Sequence, residues 1–459
     1  MDRRPPRISS DEIDLYIRTY YSLLRSTGEV RVSAFEEAHG FSDSSLHAGA
    51  REQAPDLAAF AYAAARLPDC FPSVRRVVLG QSPEQFDHAA VAVRTQTPVR
   101  ARGRRRAMRW DGEGTLAVFV TSTSDIDDLV PILTAYQIEW NKLHALLAGA
   151  PAGADGDALV QALGLEADDA GRLRAALGPR WRDAMARIAA APCDLSVRLL
   201  AGSFNQYQTT AQRWWRPLER AYLGPVEGRR RPVYFVSSNT HSLLNLVGGY
   251  ARSHGERIID FARKTDPDGL ADDMERALAA GEQGAVSNLL YYLLRAYLDH
   301  GEEPVAARLA EVQAYDAESG IASIESPGNI DVSAQVIELR RLRPERLDPR
   351  VRVAGVERLA ESDAVILNID YPLGMAAYHH LSRVAQGVAE IRGVYVMGKA
   401  ATLNARVGDV MISNTVYDEH SKNTYLLRNC FGAADVQPWL HHANVFDHQK
   451  AVTVKSAFL

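Results

Sequence analysis

Cysteine is scarce in this chain: Cys70, Cys193 and Cys430 lie far apart and are odd in number. That excludes a disulfide framework and a CxxC metal pair, and it fits a reduced, cytoplasmic setting. No uncharged apolar run reaches the roughly 18 residues that a membrane helix needs. The N-terminus, MDRRPPRISSDE, lacks the apolar segment of a secretory signal. The most apolar helical stretch, 289–298, is broken by Arg295. Neither GxxxxGK[ST] nor GxGxxG is present, which removes the two commonest phosphate-cradling fingerprints. There is no internal repeat or low-complexity tract, and a net charge of −5 is too small to suggest a nucleic-acid partner.

What is present is a globular composition, 46% hydrophobic and 24% charged, on a chain long enough for two or three domains. Residues 1–150 read as a mixed α/β region. Ser9 to Glu12 cap a helix, 74–79 and 115–120 are strands, and Thr121 to Asp125 start a helix carrying Ile126, Leu129, Leu133, Tyr136, Trp140 and Leu143. The basic run Arg102 to Arg106, with Arg109, reads as a solvated loop, with a phosphate or partner contact as the second reading. Residues 151–156, PAGADG, form a linker, and 151–228 read as helices in which Trp214 and Trp215 pack into a core. A second boundary, 224–232, precedes an α/β domain over 229–459.

In that domain strands at 233–236, 332–339, 364–369 and 393–397 alternate with helices, which predicts a mostly parallel sheet with flanking helices. Strand 233–236 ends in Ser237-Ser238-Asn239-Thr240-His241-Ser242. Two readings of this turn stand side by side: backbone amides seating an anion, or ordinary capping by Ser238 or Asn239 with His241 solvated. Strand 393–397 reads as buried and runs into Gly398, Lys399 and small residues. Strand 410–412 leads to the polar cluster Tyr417-Asp418-Glu419-His420-Ser421. The two strands are expected to deliver a lysine, two acids and an imidazole to one rim. Asp409 after Gly408 reads as a turn residue. His379-His380 and His441-His442 diverge on any regular backbone and make poor metal pairs, so no metal or cofactor is assigned.

The order Val365-Ile366-Leu367-Asn368-Ile369, Pro372 to Ala377, Val394 to Thr402, Leu403, Gly408-Asp409, then Asp418-Glu419-His420-Ser421 and Tyr425 resembles the nucleoside phosphorylase and nucleosidase superfamily. It is closest to the uridine phosphorylase branch, and an N-terminal domain ahead of such a core is also seen in AMP nucleosidases. The chain departs from the family pattern. Val396 stands where phosphorylases carry a phosphate-gripping arginine, and Asp370 to Met375 keep none of the fixed positions of the Gly-x-Gly-x-Pro-Ser turn. A carboxylate there repels phosphate, so the resemblance implies cleavage of an N-glycosidic bond with water rather than phosphate as nucleophile. The sequence ends in a stretch, 451–457, that reads as a strand, so the family's last helix, with the Met-Glu pair that holds ribose, is not seen: either the chain is truncated or ribose is held differently.

The resemblance gives Asp370 the role of base for water, Asp418, Glu419 and His420 the sugar or leaving base, and Lys399, Gly398, Ser238, Asn239, His241 and Tyr425 the substrate or its phosphate. It also implies a homo-oligomer acting on a nucleoside or nucleotide. The rival reading is a non-catalytic nucleoside- or nucleotide-binding module on a degenerate phosphorylase fold. A nucleotide-dependent transferase using the 237–242 turn is a third reading.

Overall fold

The computed structural model describes residues 9–453, apart from 27, 43, 104, 105, 152, 201–203, 224–229, 327–329, 331, 373, 401, 403, 419, 420, 441 and 442. The chain divides into two compact units, Met1–Tyr207 with Lys399–Leu459, and Gln208–Gly398. The expected boundaries at 150 and 228 are replaced by these. Within the expected linker, the described residues lie inside the first unit: Asp155 accepts the N–H of Ala158 at 2.8 Å, and Gly156 lies so close to Arg182 that a Cβ would meet its Cγ at 2.8 Å. Among the described residues no helix is long and apolar enough to cross a membrane.

The first unit contains helices α1 (Ser9–Ser26), α2 (Ser33–Phe41), α3 (Leu57–Ala65), α4 (Pro83–His88), α5 (Thr123–Leu146), α6 (Gly156–Ala162), α7 (Ala167–Leu177) and α8 (Trp181–Ala190). Its strands are β1 (Glu29–Arg31), β2 (Arg76–Gly80), β3 (Thr97–Val99), β4 (Met108–Trp110), β5 (Thr115–Phe119) and β6 (Ser196–Leu199). They form one sheet in the order β1-β6-β2-β5-β4-β3, parallel across β6, β2 and β5 and antiparallel at both edges. The strand β6, second from one edge, falls where helices alone were expected. It has four residues and one buried side chain, Val197, too short a stretch to show strand alternation.

Helix α5 organises this unit. Its apolar stripe, Ile126 to Leu143, is buried, and so are several polar side chains that fasten its neighbours. Asn141 accepts the Cys193 N–H at 2.7 Å and donates to the Cys193 carbonyl at 3.1 Å. Gln137 accepts the Leu195 N–H at 2.7 Å, and Trp140 Nε1 donates to the Ala191 carbonyl. Together they hold the chain that leads into β6.

In the basic run, Arg104 and Arg105 lie outside the described residues, Arg102 is exposed, and Arg106 departs from the solvated-loop reading. Arg102 donates to the carbonyls of Ala175 and Ala176, where the negative end of the α7 dipole favours a cation. Arg106 is buried and donates to Asp125 at 3.1 Å and Asp128 at 2.8 Å on α5. The carboxylates that claim it are spaced three residues apart on a buried helix face, a long-range partnership invisible in the run itself.

The second unit begins within α9 (Phe204–Leu223). It contains β7 (Pro232–Ser238), α10 (Ser242–Gly248), α11 (Tyr250–Ser253), α12 (Gly255–Thr265), α13 (Ala271–Ala280), α14 (Gln283–His300) and α15 (Val305–Ala317). It continues through β8 (Ile321–Ile324), β9 (Ala334–Glu338), β10 (Val365–Asp370), α16 (Met375–Gly387) and β11 (Glu390–Val396). The sheet order is β11-β7-β10-β9-β8, with β11, β7 and β10 parallel and β9 antiparallel to both its neighbours. The mostly parallel expectation is therefore corrected to a mixed sheet. Among the described residues no α-helix separates β8 from β9 or β9 from β10, whereas a parallel crossover ordinarily requires one.

Alternation along the strands feeds two faces. Val365, Leu367 and Ile369 pack with Trp214, Trp215 and Val384, while Ile366 and Ile337 pack with Val247 and Leu347. Both tryptophans are fully buried, and a Cβ at Gly387 would meet the Trp215 ring at 2.7 Å. The chain then returns to the first unit as β12 (Val410–Asp418), β13 (Asn423–Leu426), α17 (Ala433–Val436) and β14 (Val445–Thr453). These strands form a separate sheet ordered β13-β12-β14.

Replacing Arg106 with Ala removes the guanidinium that two buried carboxylates share. It is expected to cost about 3–5 kcal/mol, read as faster hydrogen exchange of the slowest α5 amides. Exchange unchanged from wild type would mean that the ion cluster contributes nothing to the first unit.

Candidate functional site

Parallel pairing of β7 and β10 places Ile369 opposite Ser237 and Asp370 opposite Ser238. Beside them the Met397 N–H donates to the Ser237 carbonyl at 2.8 Å, so β11 also ends at this edge and Gly398 follows in open space. Ser238, Asp370 and Gly398 thus share the carboxyl edge of three neighbouring parallel strands, where open α/β sheets collect ligands. Asp370 is only 7% exposed. Its N–H donates to the Ser333 carbonyl, and the next N–H, that of Tyr371, donates to the Ser238 carbonyl.

One residue deeper, the fully buried Asn368 joins three strands and a loop. It accepts from Ser238 Oγ at 2.9 Å and donates to Gln335 Oε1 at 2.7 Å and to the Asn239 carbonyl at 3.0 Å. Gln335 donates in turn to the Thr240 carbonyl. The turn after β7 takes the capping form: Asn239 Oδ1 accepts the N–H groups of His241 at 3.1 Å and Ser242 at 2.6 Å. Those amides serve the cap and not an anion. His241 lies beyond them, its pKa lowered by partial desolvation and then by the charge of Arg295.

After Asp370 the chain turns through Gly374, whose φ of 50° and ψ of −123° suit glycine alone, into α16. Tyr371, Met375 and Tyr378 are exposed around this turn, a set the sequence reading did not single out. His379 and His380 are buried in α16, and burial lowers both pKa values, that of His380 to about 4. Among the described residues no group of three or more His, Cys, Asp or Glu is placed to hold a metal ion.

Strands 393–397 and 410–412, expected to share one rim, fall in β11 and β12, which belong to different sheets. β11 is an edge strand with mostly exposed side chains, which corrects the buried reading of 393–397. Lys399 is exposed and belongs with the first unit, as do Asp418 and Tyr425. Asp418 accepts from Ser421 and Thr453 hydroxyls at 2.6 Å each, fastening its turn to β14. Tyr425 is exposed on β13. Glu419 and His420 lie outside the described residues, as do His441 and His442. Asp409 is a turn residue as expected: it accepts the N–H groups of Asn444 and Arg406, which lower its pKa.

The sequence reading missed a buried chain of ionisable groups in the first unit. His39 Nδ1 lies 3.2 Å from the Tyr16 hydroxyl, and His39 Nε2 lies 2.8 Å from His47 Nδ1. His47 Nε2 lies 2.7 Å from Glu139 Oε1, a carboxylate with no exposed surface. Glu139 also accepts from the Asp56 N–H at 2.5 Å and from Lys142 Nζ at 2.6 Å, and Lys142 donates a second bond to the Gly49 carbonyl. Lys142 forms part of the floor of a cleft of about 700 Å³ lined by Glu36, Phe41, Arg51, Asn141 and Leu146. The chain fastens the 45–51 turn to α5. Its signal in the sequence was Glu139 itself, a carboxylate between Ile138 and Trp140 on an otherwise apolar stripe.

Burial, then the neighbouring His47, lowers the pKa of His39 from 6.5 to about 3. The unfolded chain therefore binds a proton that the fold does not. Stability should be fully present above pH 6.5 and fall by about 1.4 kcal/mol per pH unit below it, levelling off near pH 3. In His39→Gln that slope in α5 hydrogen exchange should flatten; equal slopes in the two proteins would contradict a neutral buried His39.

The family model for DUF6909, a family of unknown function, matches residues 32–459. No curated protein and no solved structure matches the chain. With nearly its whole length covered by that model, the chain belongs to the DUF6909 family.

Proposed function

We propose that the second unit binds a nucleoside or nucleotide at the carboxyl ends of β7, β10 and β11 and hydrolyses its N-glycosidic bond. The observation that carries the reading is the register that sets Asp370 beside Ser238 at an edge where three parallel strands end. A carboxylate there suits both halves of the chemistry: it draws a proton from water and it stabilises the positive charge that develops on the sugar as the base departs. Tyr371 and Tyr378, exposed beside it, offer the flat apolar surfaces that a nucleobase would cover. The resemblance over residues 364–425 supplies the substrate class, and the departures at Val396 and at the 370–375 turn favour water over phosphate.

The second reading, binding without turnover, is favoured by the hydrogen bonding at this edge. Ser238, Asn368, Gln335 and Asn239 satisfy one another and the backbone, as a fixed frame would.

Release of free base from a panel of nucleosides and nucleoside monophosphates separates the two. Hydrolysis is expected, with kcat reduced about 10²–10⁴-fold in Asp370→Asn at unchanged substrate affinity, and with KM raised more than kcat is lowered in Tyr378→Ala. Saturable binding with no base released from any member would select the binding module. Neither binding nor release from any member would sink both readings.

A further inference from the structure

The two units repeat one pattern of strands, a likeness of topology that the sequence does not show. In the first, β6-β2-β5-β4-β3 lie side by side; in the second, β11-β7-β10-β9-β8 do. Each set has three parallel strands followed by two that alternate in direction, met in the same order along the chain. Register agrees as well. Gly80 stands opposite Phe119 as Ser238 stands opposite Asp370. The N–H groups of Val120, Leu200 and Phe119 donate to the carbonyls of Gly80, Leu79 and Ala107, just as those of Tyr371, Met397 and Asp370 donate to Ser238, Ser237 and Ser333. The helices that follow the paired strands also leave alike. α4 packs Phe86 on the face of Val78, Ala117 and Phe119, whereas α5 covers the face of Val77, Leu79, Leu116 and Val118. α10 and α16 divide the second sheet in the same way. Adjacent parallel strands whose helices depart to opposite faces make a topological switch point, where open α/β sheets take their ligands.

The first unit therefore has such an edge of its own, at the ends of β2 and β5, with different chemistry. Phe119 stands where the second unit has Asp370, so the edge offers water no base at that position. Gln81 follows β2 directly, and neither its Nε2 nor its Oε1 has a partner among the described residues. Ser122 directly precedes α5, yet its hydroxyl caps no amide and is likewise unbonded. Gln81 is 8% exposed and Ser122 0%. Folded chains rarely bury such groups unmet.

We propose that this edge of the first unit binds a free nucleobase without converting it. The Gln81 carboxamide sets a donor beside an acceptor, which the edge of a base meets with two hydrogen bonds, and Ser122 adds a third. The unmet groups carry no charge, and a phosphate dianion is costly to bury without a counter-charge, so a nucleotide is refused. The preference for a base over other amides rests on the hydrolysis proposed for the second unit, of which the base is a product. Both side chains are closed off from solvent, so the ligand enters as the edge opens and slows further opening once bound.

The test is hydrogen exchange of the full chain with adenine, hypoxanthine, uracil or cytosine added directly, which makes the readout independent of turnover. Slowed exchange at 81–86 and 120–126 is expected with at least one of them. Gln81→Leu and Ser122→Ala should each raise the Kd read from that slowing about tenfold or more, while release of base by the second unit stays as in wild type. No slowing at this edge with any of the bases at millimolar concentration would overturn the proposal, whether or not nucleotides are cleaved. Slowing at the wild-type Kd in both variants would overturn it too, by placing the base elsewhere. Should Gln81→Leu fail to fold, Ser122→Ala, which removes a single oxygen, decides. A base that binds here while no nucleotide is cleaved would uphold this site and remove the hydrolase reading alone.

Discussion

The candidate site depends on the side-by-side, in-register ending of β7 and β10. The two strands belong to distant parts of the chain, and only parallel pairing brings Asp370 next to Ser238. That register is reinforced from inside by Asn368. A buried carboxamide with unmet hydrogen bonds costs roughly 1–3 kcal/mol, and this one is met only when β7, β9 and the turn at Asn239 are all in place. A slip of one residue would turn every side chain of β10 to the opposite face and break these bonds together. The polar network therefore selects the arrangement that presents Asp370 at the sheet's edge.

The first unit uses the same device at greater depth. α5 is apolar enough to sit at the centre, yet it keeps Asp125, Asp128, Gln137, Glu139 and Asn141, and each holds a segment outside its own helix. Buried polar groups of this kind are satisfied by one specific set of neighbours, whereas apolar side chains accept many. The His39–His47–Glu139–Lys142 chain holds the 45–51 turn down, with its lysine at a cleft floor and its histidines inside. Its bonds close on one another and on the backbone, as expected of a fastening.

The legible parts of the fold were those carried by local pattern. The apolar run 115–120, its polar turn and the long helix after it appear as β5 and α5; the Trp214-Trp215 pair is core; Asp409 is a turn residue. What escaped depends on partners far away in the chain. Nothing within RGRRR says that Arg106 will meet Asp125 and Asp128. Nothing in Ser196 to Leu199 says that four residues will fill the gap between β1 and β2. The site was legible in half. Polar residues after strands marked Ser238, Asn239 and Asp370, whereas nothing local told that β11 and β12 would each find its partners in a different sheet.

The most direct measurement is hydrogen exchange of the full chain with and without saturating nucleoside monophosphate. The account predicts slowed exchange confined to the ends of β7, β10 and β11, residues 237–241, 370–378 and 397–398. Protection confined to the first unit, or none at any ligand concentration, would contradict a ligand site at the carboxyl edge of the five-stranded sheet.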